Sequence, residues 1–185
     1  MREYAKNIDS TMFDFSGYYD KIAELMPDNC RIVECGVANG ASAIYLAEAI
    51  LNLGKTIERF ILVDDLSYGG SDQAQTIINH VIQSGIKEFE FIQKSSLDAS
   101  CKFPDGYLHF CFIDSSHTYK GTRSEIRCWW HCIKDGWVLS GHDANMPEVK
   151  QAVEEVVPLD QLRVLKTDKD FGVWELIKNN EIKML

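Results

Sequence analysis

Five short apolar runs, each closing in small or acidic residues, alternate along the chain with segments of helical periodicity. The runs are "RIVECG" (31–36), "RFILVDD" (59–65), "FEFIQKSS" (89–96), "YLHFCFIDSS" (107–116) and "GWVLSGHD" (136–143). Between them, "ASAIYLAEAIL" (41–51) places Ile44, Ala47 and Leu51 on one helical face. "SDQAQTIINHVIQSG" (71–85) reads as a helix opened by Ser71 and closed by Gly85. "KGTRSEIRCWWHCIKDG" (120–136) reads as a helix ending at Gly136. "PEVKQAVEEVV" (147–157) carries Pro147 in its first turn and Val149, Ala152, Val153 and Val156 on one face. Upstream, Tyr18, Ile22 and Leu25 form a helical stripe that Pro27 stops. Strand–helix alternation at this spacing implies βαβ units and a mostly parallel sheet. Several runs are apolar at both alternating positions, as a sheet covered by helices on both faces requires. "LRVLKT" (162–167) and "FGVWELI" (171–177) lie close together and read as a C-terminal antiparallel hairpin.

With 185 residues and no repeat or linker, one domain is expected, an aromatic and helical segment at 1–28 leading into a core at 29–178. The formal charge of −9 argues against nucleic acid as a partner, because neutralising phosphates takes clustered Lys and Arg. No apolar run reaches a membrane span of ~20 residues, and "MREYAKNIDS" has no apolar signal core. A cytoplasmic protein that does not engage membrane is expected, with its six cysteines reduced. "CWWHC" (Cys128, His131, Cys132) could be half of a metal site, but no second ligand pair stands at zinc-site spacing, so core packing plus a surface histidine is the reading.

In open sheets of this kind ligands bind beyond the carboxyl ends of the strands. Glu34, Asp64, Ser96, Asp114, His142 and Asp143 all fall at such ends and should meet on one rim. "VECGVANGAS" joins the first strand to the first following helix, where a Gly-rich turn lets a ligand approach backbone N–H groups. Gly36 and Gly40 with Ala38 between them match a dinucleotide fingerprint poorly, and no Gly-Lys-Ser/Thr follows as in a P-loop.

Glu34-x-Gly36-x-Ala38-x-Gly40 resembles the first motif of class I S-adenosylmethionine-dependent methyltransferases, with Ala38 in place of the middle glycine. The resemblance runs from about Ile32 to Trp174 and implies a Rossmann-like α/β fold, a seven-stranded, mostly parallel sheet. It implies S-adenosyl-L-methionine as cofactor, held by Glu34, Gly36, Val37, Ala38, Gly40 and Ser42 at the turn. Asp64, with Asp65 the second choice, would meet the ribose; Ser95, Ser96 and Leu97 would meet the adenine, and Asp114 would lie beside the cofactor. "FIDSSHTYKG" followed by "IKDGWVLSGHD" resembles the macrocin O-methyltransferase-like subgroup, which acts on sugar hydroxyls. By that likeness Asp114, His142 and Asp143 are the ligands of a divalent cation, Mg or Mn, and His117 with Asp114 is catalytic. Where His142 stands, related enzymes place a carboxylate or an amide oxygen.

The chemistry suits the pattern. A hydroxyl is a poor nucleophile until it loses its proton; a cation on its oxygen lowers its pKa, and an imidazole can take the proton. Two carboxylates suit a hard cation. The expected partner is a small-molecule acceptor, a sugar or a polyhydroxylated metabolite. Its pocket would come from the aromatic N-terminal segment, from "DDLSYGGSD" or from a neighbouring subunit, and the N-terminal aromatics suggest a homodimer. Two alternatives stand beside this reading: a metal-independent methyltransferase acting on another acceptor, and a non-catalytic protein that binds S-adenosylmethionine. Ser140, His142 and Asp143 do not make a hydrolase, since adjacent strand residues face opposite ways and no G-x-S-x-G exists.

Overall fold

A computed structural model describes residues 1–10, 13–70, 72–156 and 158–179. Seven strands form one sheet: β1 (Cys30–Cys35), β2 (Ile57–Asp64), β3 (Glu90–Gln93), β4 (Leu108–Ile113), β5 (Ile133–Gly141), β6 (Arg163–Leu165) and β7 (Val173–Ile177). Their order is β3-β2-β1-β4-β5-β7-β6, with β1 to β5 parallel to one another and β7 antiparallel to both β5 and β6. The expected Rossmann-like, mostly parallel sheet with a terminal antiparallel hairpin is therefore present.

The apolar runs divide by strict alternation between two cores. Ile32, Phe60, Leu62, Phe110 and Phe112 point to one face, where they meet α1 (Ser16–Leu25), α2 (Ala41–Asn52) and α3 (Gln73–Gln83). Val33, Cys35, Ile61, Val63, Cys111 and Ile113 point to the other, against α4 (Ser96–Ser100), α5 (Tyr119–Cys132) and α6 (Pro147–Val156). Side chains of a strand alternate across the pleat, so a run apolar at every position must be covered twice. The largest buried side chains, Trp129 and Trp174, belong to the second core.

Several local expectations change. "IKDG" does not extend the helix: α5 ends at Cys132, and β5 begins directly at Ile133, paired with Leu108. Gly136, at φ +82°, adopts a left-handed turn inside that strand, where its N–H donates to the Lys178 carbonyl. Leu25 is 59% exposed, while Tyr18, Tyr19, Ile22 and Ala23 form the buried face of α1. Ser71 lies outside the described residues, and α3 follows Asp72 without a side-chain cap. The short helix α4 after β3 had no periodicity to announce it. Of the N-terminal aromatics, Tyr4 and Phe13 are partly buried and three are fully so. Phe15, Tyr18 and Tyr19 are buried, and Tyr19 meets Phe15 and Phe112 edge-on at 5.0 and 5.1 Å between centroids.

Of Cys128, His131 and Cys132, the last packs in the core, while Cys128 and His131 are half-exposed. Cys132 is buried and directs its thiol to the Ser100 carbonyl, and all six cysteines are free. Among the described residues no helix is long and apolar enough to cross a membrane.

Candidate active site

The strand order reverses between β1 and β4, and the site opens beyond their carboxyl ends. There the Gly36 N–H donates to Val63 and the Asp114 N–H to Cys35, lacing the ends of β2, β1 and β4 together at 2.8 Å each. A Cβ on Gly36 would stand 2.0 Å from the Asp114 carbonyl oxygen. Gly36 is therefore required by the protein's own β4 backbone, whereas the sequence motif suggested a cofactor's approach. Ala38 (φ +46°) and Gly40 (φ +84°) continue the turn, and Gly40 then caps α2. Asp64, at the end of β2, holds this turn from beneath: its Oδ2 accepts from Val37 (2.9 Å) and Ala38 (3.3 Å), and its Oδ1 from Leu66. Asp65, the exposed neighbour, lines the cavity with one oxygen accepting from its own Ser67 N–H.

Glu34 is not on the open rim. It is 3% exposed, and its two oxygens accept from Tyr19 Oη (2.7 Å) and from Ser42 Oγ. Burial pushes its pKa up to about 7 against the pull of those hydroxyls. Well below pH 4.5 the proton is held in both states; as pH rises from there toward 7 the unfolded chain releases it first and the fold loses stability. Glu34→Gln stays neutral, so its stability relative to wild type should improve from pH 5 to pH 8, by up to on the order of 3 kcal/mol. Urea unfolding at the two pH values measures it; an equal difference at both would show that Glu34 is ionised throughout.

Past β3, Ser95 caps α4 by accepting from the Asp98 N–H. Ser96 is buried and accepts from Trp129 Nε1 at 2.8 Å. Glu125 of α5 accepts from Ser115 Oγ at 2.5 Å. Thr118, rather than Asp114, caps α5 through the Gly121 N–H, which leaves the Asp114 carboxylate free for the site.

That carboxylate belongs to a cluster of charged groups. His117 Nε2 lies 2.8 Å from Asp143 Oδ2 and 3.5 Å from Asp114 Oδ1. His142 Nδ1 lies 3.6 Å from each of the same two oxygens. Asp143 takes a left-handed backbone (φ +57°) to turn into the cluster. Asp114, His117 and Asp143 offer ligand atoms that all lie within 4.8 Å of one another. Such a set of oxygens and an imidazole nitrogen fits a divalent cation. The Asp114 and Asp143 carboxylates push His117 up to about 10 against burial. Burial would lower His142, but the same carboxylates outweigh it and bring it also to about 10. Burial would raise Asp143, yet the two imidazoles hold it well below the usual carboxylate range. The neutral imidazole expected for His117 thus requires that another positive charge neutralise its carboxylates.

Beyond His142 stands Asp14, a residue the sequence reading passed over. Its Oδ1 is 2.9 Å from His142 Nε2, and its Oδ2 accepts from Thr167 Oγ1 (2.6 Å) and the Lys169 N–H (3.0 Å). A lone acid in an aromatic segment gave no motif; its only signal was an Asp flanked by Phe13 and Phe15 in a stretch otherwise fit for burial.

Gly36, Ala38, Asp64, Ser95, Ser96 and the cluster open onto one cavity of about 560 Å³. That is within the range of roughly 300–1,000 Å³ common for small-molecule sites. A second cavity of about 170 Å³, lined by Phe13, Phe15 and Ser42, shares Gly36, Ala38 and Asp114 with the first. Residues 33–144 match the model of a family described as "Methyltransferase domain". The chain belongs to this methyltransferase family. The matched stretch contains the turn, both cavities' shared residues and the whole cluster except Asp14. No curated protein matches the chain. Solved structures share the fold at low identity. An O-methyltransferase from Bacillus cereus, in complex with SAH, superposes with a TM-score of 0.64 at 14% identity, covering 92% of this chain and 83% of that one. A SAM-dependent O-methyltransferase from Thermotoga maritima gives 0.66 at 15%, covering 97% and 73%. An rRNA methylase from Streptococcus thermophilus gives 0.65 at 14%, covering 93% and 100%.

Proposed function

We propose that this methyltransferase moves the methyl group of S-adenosylmethionine to a hydroxyl of a small molecule, with a divalent cation beside the acceptor. The observation that carries the reading is the cluster itself: two carboxylates and two imidazoles gathered on the cavity wall, next to a turn of the methyltransferase family. The O-methyltransferases among the structural neighbours agree with it. The net charge of −9 disfavours a nucleic-acid acceptor such as the ribosomal RNA of the Streptococcus neighbour.

The turn at Gly36–Gly40, with Ser42, binds the methionyl end of the cofactor, where the smaller cavity adjoins the larger. Asp64 fixes the turn's backbone and, with Asp65 beside it, faces the ribose; Ser95 and Ser96 border the adenine. Asp114 and Asp143 hold the cation, with His142 as the third ligand. The cation, when bound, supplies positive charge that lowers the pKa of an acceptor hydroxyl. His117, half-buried at the cavity wall, takes the proton of that hydroxyl. Phe13 and Phe15 close the site from the N-terminal side, and Tyr68, 94% exposed at the rim of the larger cavity, is placed to meet the acceptor.

The test is methyl transfer from labelled S-adenosylmethionine to a panel of sugars and polyhydroxylated metabolites, run with EDTA and with Mg²⁺ or Mn²⁺. Label should appear on an acceptor, and EDTA should suppress it by at least about 100-fold, the scale of a lost charge-stabilising group. Transfer that EDTA leaves unchanged would contradict the cation.

A further inference from the structure

The Asp14 carboxylate is fully buried, and the His142 side chain it faces is 3% exposed. Burying a carboxylate is costly unless its oxygens are all engaged. Here they are. The Thr167 hydroxyl and the Lys169 N–H both donate to Oδ2, which leaves Oδ1 to accept from His142 Nε2. The imidazole is further confined by the rings of Phe15 and Phe171, at 4.8 and 5.6 Å between centroids. Its other nitrogen, Nδ1, is the one that faces Asp114 and Asp143.

We infer that Asp14 is a positioning residue that fixes His142 with its proton on Nε2, so that the Nδ1 lone pair is presented to a divalent cation held by Asp114 and Asp143. This rests on the cation in the proposed function. A carboxylate can only accept, so in the neutral imidazole the shared proton must sit on Nε2, and Nδ1 must be the bare nitrogen. Carboxylate–imidazole pairs of this kind set the orientation and basicity of a metal ligand. The N-terminal segment, outside the family-matched residues 33–144, thereby contributes to the cluster through the Asp14 carboxylate. Among the described residues His117 has no such buried carboxylate behind it: its Nε2 faces the two cluster carboxylates themselves.

Asp14→Asn distinguishes this from simple packing. The amide oxygen must stay toward Thr167 and Lys169, which both donate, so the NH₂ turns to His142 Nε2. Nε2 must then accept, and the proton moves to Nδ1, where it blocks ligation. The probes are Mn²⁺ titration of wild type, Asp14→Asn and Thr167→Val, and ¹⁵N–¹H spectra of the histidine rings in the zinc-loaded proteins. Wild type and Thr167→Val should show His142 protonated at Nε2 with zinc on Nδ1. Asp14→Asn should show a proton on Nδ1 and bind Mn²⁺ about 10–100-fold more weakly. Equal Mn²⁺ affinity in wild type and Asp14→Asn, or a wild-type His142 protonated at Nδ1, would overturn the positioning role while leaving the cation reading intact. No Mn²⁺ binding by wild type would instead remove the cation reading, and this inference with it. Should Asp14→Asn not fold, the wild-type spectrum alone decides: zinc on Nδ1 with the proton on Nε2 supports the role, and a proton on Nδ1, or a bare Nδ1 with zinc held elsewhere, overturns it.

Discussion

Asp114→Ala should lower methyl transfer by about 1,000-fold or more and leave the protein folded. One oxygen of this carboxylate, Oδ1, faces both His117 and His142, so its removal takes a partner from His117 and, in the proposed function, would take a ligand from the cation. Loss of a general-base arrangement alone costs about 10²–10⁴-fold, and loss of a charge-stabilising group adds to it. Stability should change little, because the side chain is 25% exposed and caps no helix. Affinity for S-adenosylhomocysteine should fall less than about tenfold, because the turn that receives the cofactor is held by the Asp114 backbone and by Asp64. Kinetics, thermal melting and a binding titration on the one variant measure all three. Turnover within tenfold of wild type would exclude Asp114 from the chemistry. Loss of cofactor binding with turnover falling in proportion would make it a cofactor ligand only.

Gly36→Ala should be the most destabilising single change in the turn. The added Cβ would sit 2.0 Å from the Asp114 carbonyl oxygen, 2.5 Å from its carbon and 2.8 Å from Ser115 Cα, all backbone atoms that cannot swing aside. The residue is also at φ +79°, where a side chain is strained. Both effects together should cost about 4 kcal/mol or more, a melting point lower by roughly 10 °C or more for a chain of this size. Gly40→Ala is the control. It has the same sign of φ, but its nearest contact is 3.6 Å away, on the flexible end of Ile44, so only the conformational strain of about 1–2 kcal/mol remains. Equal melting points for the two variants would show that the β1–β4 lacing relaxes around a methyl group.

These two glycines show how far the sequence could be read. The motif located the turn, but the same residues are demanded by two different needs, a ligand's approach and a neighbouring strand's, and spacing alone does not separate them. The strand ends were legible because parallel strands buried on both faces are continuous apolar runs, and a polar residue that ends the run lies at the rim. Asp64, Asp114, His142 and Asp143 were found that way. Glu34 was also found, yet it is sealed beneath Tyr19 and Ser42, because it lies one residue inside the strand, on the face that α1 and α2 cover. Asp14 was not found: its partners are 128 and 153 residues away, at His142 and Thr167, and no local period links such positions. "IKDG" departs from its helical pattern for a related reason. Its strand pairing comes from Leu108 across the sheet, and a Gly after a helical pattern imitates a helix end.

The most direct measurement of the central claim is isothermal titration of the wild-type protein with S-adenosylhomocysteine. The account predicts one site per chain with a dissociation constant on the order of 10 µM, about −7 kcal/mol, weakened in Gly36→Ala. Absence of binding up to about 1 mM, in protein shown to be folded, would contradict the assignment of the cavity at Gly36, Asp64 and Ser96 to that cofactor.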